Sequence, residues 1–144
     1  MKPTVAEQLE YDRRACIDRD DGLEDPVWRL ANLYRCMDPS GKDVAFTPTP
    51  EQETVIIAIF LRGWRRLLIP KARQLGMSLL LSLIALDGII FRDGYAVSWI
   101  DKKGPDAEKK LKEKVLFAWD RLDPAIKGTL KETRRNTTDL ALQL

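Results

Sequence analysis

Residues 66–91 read RLLIPKARQLGMSLLLSLIALDGIIF, and this stretch decides the expected fold. Residues 66–70 form a short apolar run that closes at a proline, which is typical of a buried strand. Residues 78–91 are apolar on nearly every side, which predicts a buried helix. Residues 73–76 between them are predicted to be a tight loop. The order of strand, loop and buried helix is the unit from which parallel sheets are built.

A second unit of the same kind follows. Residues 95–100, YAVSWI, are predicted to be a strand, and Pro105 opens a helix that ends at Asp123-Pro124. The apolar positions of this helix recur at helical spacing: Leu111, Val115, Trp119 and Leu122. Residues 129–135 and 138–144 read as two further strands joined by a turn. Two successive strand-helix units predict an α/β fold in which helices flank a parallel sheet.

Residues 1–45 are predicted to be a helical extension to the sheet-containing domain, which spans residues 46–144. A capping box at Thr4 and an Asp25-Pro26 pair mark two helix starts in the extension. Residues 44–46 read as a short strand at the boundary. A further helix begins at Thr49 and ends near Gly63. No capping residue follows Leu144, so the chain is expected to be a piece of a longer protein with an incomplete sheet.

The composition excludes several kinds of chemistry. The 144 residues include no histidine, and Cys16 and Cys36 lack the spacing of metal ligands. Zinc sites of the usual kind and His-dependent nucleophiles are therefore excluded. The amino terminus has no apolar core of a secretory signal, and residues 77–91 are too short to span a membrane. A cytoplasmic protein with reduced thiols is expected, with no membrane partner.

The loop between the first strand and its helix has the placement of a phosphate-binding loop. In the usual pattern, GxxxxGK[ST], backbone amides at a helix start face the anion, a lysine neutralises it and a hydroxyl binds Mg²⁺. Here the octet is KARQLGMS, residues 71–78, with Lys71 in the first glycine position and Met77 in the usual lysine position. A lysine at the other end of the loop could reach the same phosphate oxygens. An ordinary basic surface turn would have a similar composition, and that alternative stays open.

This loop resembles those of the large terminase subunits of tailed phages, in which the lysine comes first. Segments elsewhere in residues 25–144 are similar to the same family: NLY at 32–34, DPSGK at 38–42, FTP at 46–48, VSWID at 97–101, DAE at 106–108 and FAW at 117–119. The resemblance implies the amino-terminal part of the ATPase domain, with a P-loop NTPase-like sheet. The whole protein would be an ATPase and endonuclease of the bacterial host's cytoplasm. Its partners would be double-stranded phage DNA, the small terminase subunit and the portal protein.

The resemblance also implies roles for particular residues, with ATP and Mg²⁺ as cofactors. Lys71 would contact the β- and γ-phosphates, the Ser78 hydroxyl would bind Mg²⁺, and the catalytic Arg73 would stabilise charge on the γ-phosphate. Gln52 would read adenine, although Thr49 and Gln52 also form a capping box that explains the glutamine without a ligand. The implied nucleotide-binding residues are Gln52, Lys71, Ala72, Arg73, Gln74, Leu75, Gly76, Met77 and Ser78.

Two requirements of hydrolysis are missing from the sequence. No apolar segment ends in the paired acids that would bind Mg²⁺ and position water, so binding without turnover is expected of these residues. Asp101 ends a predicted strand and could approach the site, but a strand-end acid followed by Lys102 and Lys103 is more often a helix-entry or surface charge. The lysines of residues 109–114, with Arg134 and Arg135 beyond them, could face DNA. The interleaved Glu108 and Glu113 favour a solvated face instead. A non-catalytic interaction module that self-associates and a helicase-type P-loop ATPase remain the alternatives.

Overall fold

The computed structural model describes residues 22–70, 75–128, 130–136 and 138–143. In chain order, the helices and strands of these residues are a 3₁₀ turn (Gly22–Glu24), α1 (Pro26–Asn32), β1 (Arg35–Met37), β2 (Asp43–Ala45), α2 (Pro50–Phe60), α3 (Met77–Phe91), α4 (Gly104–Lys110), a π-helical segment (Leu111–Leu116), α5 (Phe117–Asp120), α6 (Pro124–Lys127), β3 (Lys131–Arg135) and β4 (Leu140–Gln143). Helices and short antiparallel strands together make a mixed α/β fold.

Helix α1 and the hairpin after it form the amino-terminal layer of the described chain. The Asp25 carboxylate accepts a hydrogen bond from the Val27 amide at 2.9 Å, and Pro26 occupies the first turn, so the predicted helix start is confirmed. Strands β1 and β2 pair antiparallel, with Cys36 opposite Val44. The strand predicted at 44–46 is therefore confirmed within one residue, whereas its partner β1 was not predicted.

Helix α2 begins and ends where local sequence signals predict. Thr49 and Gln52 form a reciprocal capping box at its start. At its end, Gly63 has a left-handed φ of 65°, and the Trp64 amide donates to the Ala58 carbonyl at 3.0 Å. Both boundaries are set by residues close in sequence.

Helix α3 lies at the centre of the hydrophobic core. Leu80, Leu83 and Leu86 are fully buried, as the apolar run of residues 78–91 predicts. The helix packs against α1 and the π-helical segment. The other buried residues of this core cluster are Leu30, Tyr34, Cys36, Phe46, Val55, Ile56, Met77, Val115, Ala118, Trp119 and Leu122.

The helix predicted from Pro105 onward is present as α4, the π-helical segment and α5 in succession. Of its predicted core positions, Val115, Trp119 and Leu122 are buried and Leu111 is partly buried. The interruption by one π-helical turn was not predicted, because the sequence contains no proline or glycine there to signal it. None of the helices in the described part of the chain has both the length and the apolar character needed to cross a membrane.

The two strands predicted at 66–70 and 95–100 are not formed. Both segments lack regular secondary structure, and within the described ranges the sheets are two antiparallel pairs, β1–β2 and β3–β4, with no parallel sheet. A strand requires a hydrogen-bonded neighbour, and apolar residues alone do not supply one. The side chains of Leu68 and Ile100 are accordingly 95% and 91% exposed.

The tail forms the hairpin that its sequence predicts. Lys131 of β3 lies opposite Gln143 of β4, and the register shifts by one residue between Glu132 and Arg134. The turn is held by Asn136, whose amide donates to the Asp139 carbonyl at 3.0 Å. Leu140 and Leu142 of β4 pack against the core cluster.

Candidate functional site

The candidate site is centred on Gly76, the residue that precedes α3. Its φ of 66° and ψ of 15° lie in the left-handed region, which glycine adopts without the steric cost that a side chain brings. Its carbonyl accepts the first helical hydrogen bond, from the Leu80 amide at 3.0 Å. Among the residues described, no side chain caps this helix start. The positive end of the helix dipole is thus placed at an exposed glycine.

Gln52 connects α2 to this glycine. Its side-chain nitrogen Nε2 donates to the Gly76 carbonyl at 3.0 Å and approaches the Leu75 carbonyl at 3.5 Å. Its oxygen Oε1 accepts from the Thr49 amide at 3.0 Å, completing the capping box. The residue is only 3% exposed. The carboxamide oxygen is used in the helix cap, and the carboxamide nitrogen contacts the loop.

A side chain at position 76 would displace the Gln52 carboxamide. A Cβ atom built on Gly76 would lie 2.7 Å from the Gln52 Nε2 atom, closer than two such atoms approach in proteins. Glycine at position 76 therefore suits both the backbone conformation and the close approach of Gln52.

The other loop residues divide into two groups. Met77, in the usual lysine position of the pattern, is 4% exposed and belongs to the core cluster. Ser78 is half-buried in the first turn of α3, and its carbonyl accepts from the Ser82 hydroxyl at 2.7 Å. The remaining predicted residues, Lys71, Ala72, Arg73 and Gln74, lie outside the described residues. A charge at position 77 would have to be buried, which is costly.

Asp101, the acid considered as a Mg²⁺ ligand, is engaged in an ion pair with Lys110 of α4. Its carboxylate also accepts from the Lys102 amide at 2.8 Å. The hydrogen bond from Lys110, followed by that from the Lys102 amide, lowers the pKa of Asp101. The described residues contain no cluster of three or more acidic, cysteine or histidine side chains that could bind a metal. These contacts favour the interpretation of Asp101 as a structural charge.

Three of the basic residues considered for DNA contact have acidic partners. Lys109 lies 3.9 Å from Glu113, one helical turn away, and Lys110 pairs with Asp101. Arg135 donates to both carboxylate oxygens of Asp120, at 2.6 and 2.7 Å. Local pairing favours the solvated-face interpretation of these side chains.

A buried ion pair was missed by sequence reasoning. Arg29 of α1 donates to both carboxylate oxygens of Asp87 in α3, at 2.8 and 2.7 Å, and the Tyr34 hydroxyl donates to the same carboxylate at 2.7 Å. Burial and the neighbouring carboxylate raise the pKa of Tyr34. The signal available in the sequence was an aspartate inside an otherwise apolar helix. Because Asp87 follows Gly76 by eleven residues of helix, it lies about 16 Å from the helix start and outside the candidate site.

Two open cavities lie elsewhere in the fold, beside the segment predicted as the second strand. One, of about 430 Å³, is lined by α3, residues 97–99 and α4. The other, of about 520 Å³, is lined by residues 92–97 and β4. Neither is lined by Gly76 or Gln52. Among the residues described, the candidate site consists of the Gly76 backbone at the start of α3 and the Gln52 carboxamide that contacts it.

Comparisons of the chain with protein-family models, with curated proteins and with solved structures gave no match. The functional interpretation consequently depends on the residues of this chain and on their geometry.

Proposed function

We propose that this chain is the ATP-binding part of a large terminase subunit, whose whole protein would drive phage DNA into a procapsid. The observation that supports the proposal most directly is Gly76. A left-handed, exposed glycine opens a buried helix in the loop KARQLGMS, where a phosphate-binding loop requires backbone amides and no side chain. The first turn of α3 would face the phosphate chain of ATP.

The burial of Met77 supports the unusual position of the lysine. A phosphate-binding loop needs a cation, and a side chain that packs into the core cannot supply it. Lys71, at the opposite end of the octet, would then contact the β- and γ-phosphates, and Arg73 would stabilise the charge that develops on transfer. The Ser78 hydroxyl would bind Mg²⁺, whose charge would offset that of the phosphate oxygens.

The proposal for these residues is binding rather than turnover. Asp101 is engaged by Lys110, and the residues described include no cluster of acids that could hold a catalytic metal. Hydrolysis would need an acidic strand end beyond this sequence, and endonuclease activity would need a second domain. The parallel P-loop sheet is part of the same proposal, with residues 66–70 and 95–100 pairing with strands that such a longer protein would supply. DNA, the small terminase subunit and the portal protein are the proposed partners in the host cytoplasm.

The proposal is tested by titrating the folded chain with a fluorescent ATP analogue and Mg²⁺. Lys71→Ala and Ser78→Ala are each expected to weaken binding by about ten- to a hundredfold, the usual effect of losing a charge-assisted contact. Lys112→Ala and Ser98→Ala, at exposed positions, serve as matched controls and should bind as the wild type does. Absence of saturable binding by the folded wild-type chain would refute the proposal.

A second candidate function is supported by exposed apolar side chains in the unformed strands and just before the first of them. Trp64, Leu68 and Ile100 are 54%, 95% and 91% exposed, which is typical of surfaces that another polypeptide covers. In this alternative the chain is an interaction module that associates with itself. Sedimentation of the wild-type chain alongside a Leu68→Ser, Ile100→Ser variant distinguishes the two. Concentration-dependent dimers that the variant abolishes, with no stabilisation of the fold by ATP, would favour the alternative.

A further inference from the structure

Gln52 has a role in the structure that differs from reading a base. Its carboxamide lies between the start of α2 and the residues that precede α3, and both of its polar atoms have protein partners. We infer that Gln52 is a positioning residue, which orients the backbone at positions 75 and 76 for phosphate binding and does not select adenine. This role of Gln52 rests on the proposed nucleotide-binding function, since it concerns the loop backbone of that same site.

The partners of the carboxamide argue against a free base-reading group. A side-chain amide has two hydrogens to donate, and those of Gln52 face the carbonyls of Gly76 at 3.0 Å and Leu75 at 3.5 Å. Its oxygen accepts from the Thr49 amide. Reading an adenine edge would require a donor that is already used, in a side chain that is 3% exposed. Breaking these bonds without replacement would leave buried polar groups unsatisfied.

The two carbonyls that Gln52 contacts determine where two loop amides point. The carbonyl and the amide of one trans peptide point in opposite directions. Anchoring the Leu75 and Gly76 carbonyls at Gln52 therefore directs the amides of Gly76 and Met77 away from it. Amides held in one direction at a helix start are what an anion requires, since little orientation remains to be lost on binding. Gln52 would thus affect the binding of the phosphate chain through the loop backbone, whichever base the nucleotide carries.

Two substitutions separate this role from helix capping and from charge. Gln52→Glu keeps an oxygen for the Thr49 amide, so the capping box is retained, but the donor to Gly76 is lost. Gln52→Met also removes the donor and adds no negative charge. Gln143→Glu makes the same change as the first variant at an exposed glutamine of β4 and serves as its control.

The experiment measures the affinities of ATP and of inorganic tripolyphosphate, each with Mg²⁺, by competition against the fluorescent ATP analogue. In both Gln52 variants, the two ligands should lose affinity by the same factor, about tenfold for one lost hydrogen bond and the loop order that depends on it. Both Gln52 variants should melt below the wild type because a buried donor is lost, so the affinities are compared at a temperature at which circular dichroism shows every variant to be folded. Gln143→Glu should change neither affinity by more than about twofold, the scale of a surface substitution.

Several results would overturn the inference. If only ATP lost affinity while tripolyphosphate bound unchanged, Gln52 would be reading the base and the proposed function would stand. A loss confined to Gln52→Glu would indicate charge repulsion of the phosphates rather than a lost donor. If the wild-type chain bound ATP but not tripolyphosphate, the base would supply the recognition. No binding of either ligand by the folded wild-type chain would refute the proposed function and this inference together.

Discussion

The buried ion pair between α1 and α3 makes the strongest prediction about stability. Asp87 is 2% exposed and accepts three hydrogen bonds, two from Arg29 and one from Tyr34. Asp87→Asn keeps the shape but removes the charge, and its new amide group would face the donors of Arg29. The guanidinium of Arg29, in a residue 6% exposed, would then lack its counter-charge. We expect the free energy of unfolding to fall by about 3–5 kcal/mol, the usual cost of breaking a buried pair.

This loss is large enough to measure by urea unfolding, followed by circular dichroism and tryptophan fluorescence. With a denaturant dependence of about 1.5 kcal/mol per molar urea, a loss of about 4 kcal/mol lowers the midpoint by about 2.5 M. Asp93→Asn, an exposed aspartate just beyond α3, is the matched control and should shift the midpoint by less than about 0.3 M. A shift below about 0.5 M for Asp87→Asn would contradict the reasoning.

A triple variant tests whether the uncompensated charge is the cause. Arg29→Met, Tyr34→Phe and Asp87→Leu together replace every member of the network by an apolar residue. Because replacing a buried ion pair by apolar residues is often neutral, this variant should be more stable than Asp87→Asn alone. A triple variant that is less stable than Asp87→Asn would show that the packing of these side chains, and not their charge, determines the cost.

Three further predictions concern other parts of the chain. Gly76→Ala should lower the melting temperature more than Gly94→Ala. Both glycines have left-handed φ angles, but of these two only Gly76 would place a Cβ against another side chain, 2.7 Å from the Gln52 Nε2 atom. Two hydrogen bonds from Arg135 lower the pKa of Asp120. The ionised Asp120 therefore stabilises the fold above the unfolded pKa of about 3.9, and this stabilisation is lost as pH falls through the folded pKa. The melting temperatures of the wild type and Asp120→Asn should therefore converge below about pH 4, and parallel curves would contradict this. Burial, and after it the negative charges of Asp38 and Asp43, raise the pKa of the Cys36 thiol. In a Cys16→Ser chain, Cys36 should therefore react slowly with Ellman's reagent until urea unfolds the protein. Fast reaction of the folded chain would contradict this.

The starts of α1 and α2 could be predicted from the sequence because they depend on neighbouring residues. The Asp25 carboxylate caps an amide two positions away, and the capping box of α2 joins Thr49 to Gln52. The burial of α3 followed from residues that are apolar all round the helix. The tail hairpin was also predicted, because its two strands are joined by a short turn at Asn136. Each of these features depends on residues that are close together in sequence.

The contacts that define the sheets and the site depend on residues far apart in sequence. The apolar runs at 66–70 and 95–100 predicted strands, but strands form only where a partner backbone offers hydrogen bonds. Gln52 lies 24 positions before Gly76, and Arg29 lies 58 before Asp87. Their side chains meet only once the helices pack. The sequence by itself determined where the longer helices begin. The tertiary structure decided which polar groups are paired, because burial makes an unpaired polar group costly and packing alone brings its partner within reach.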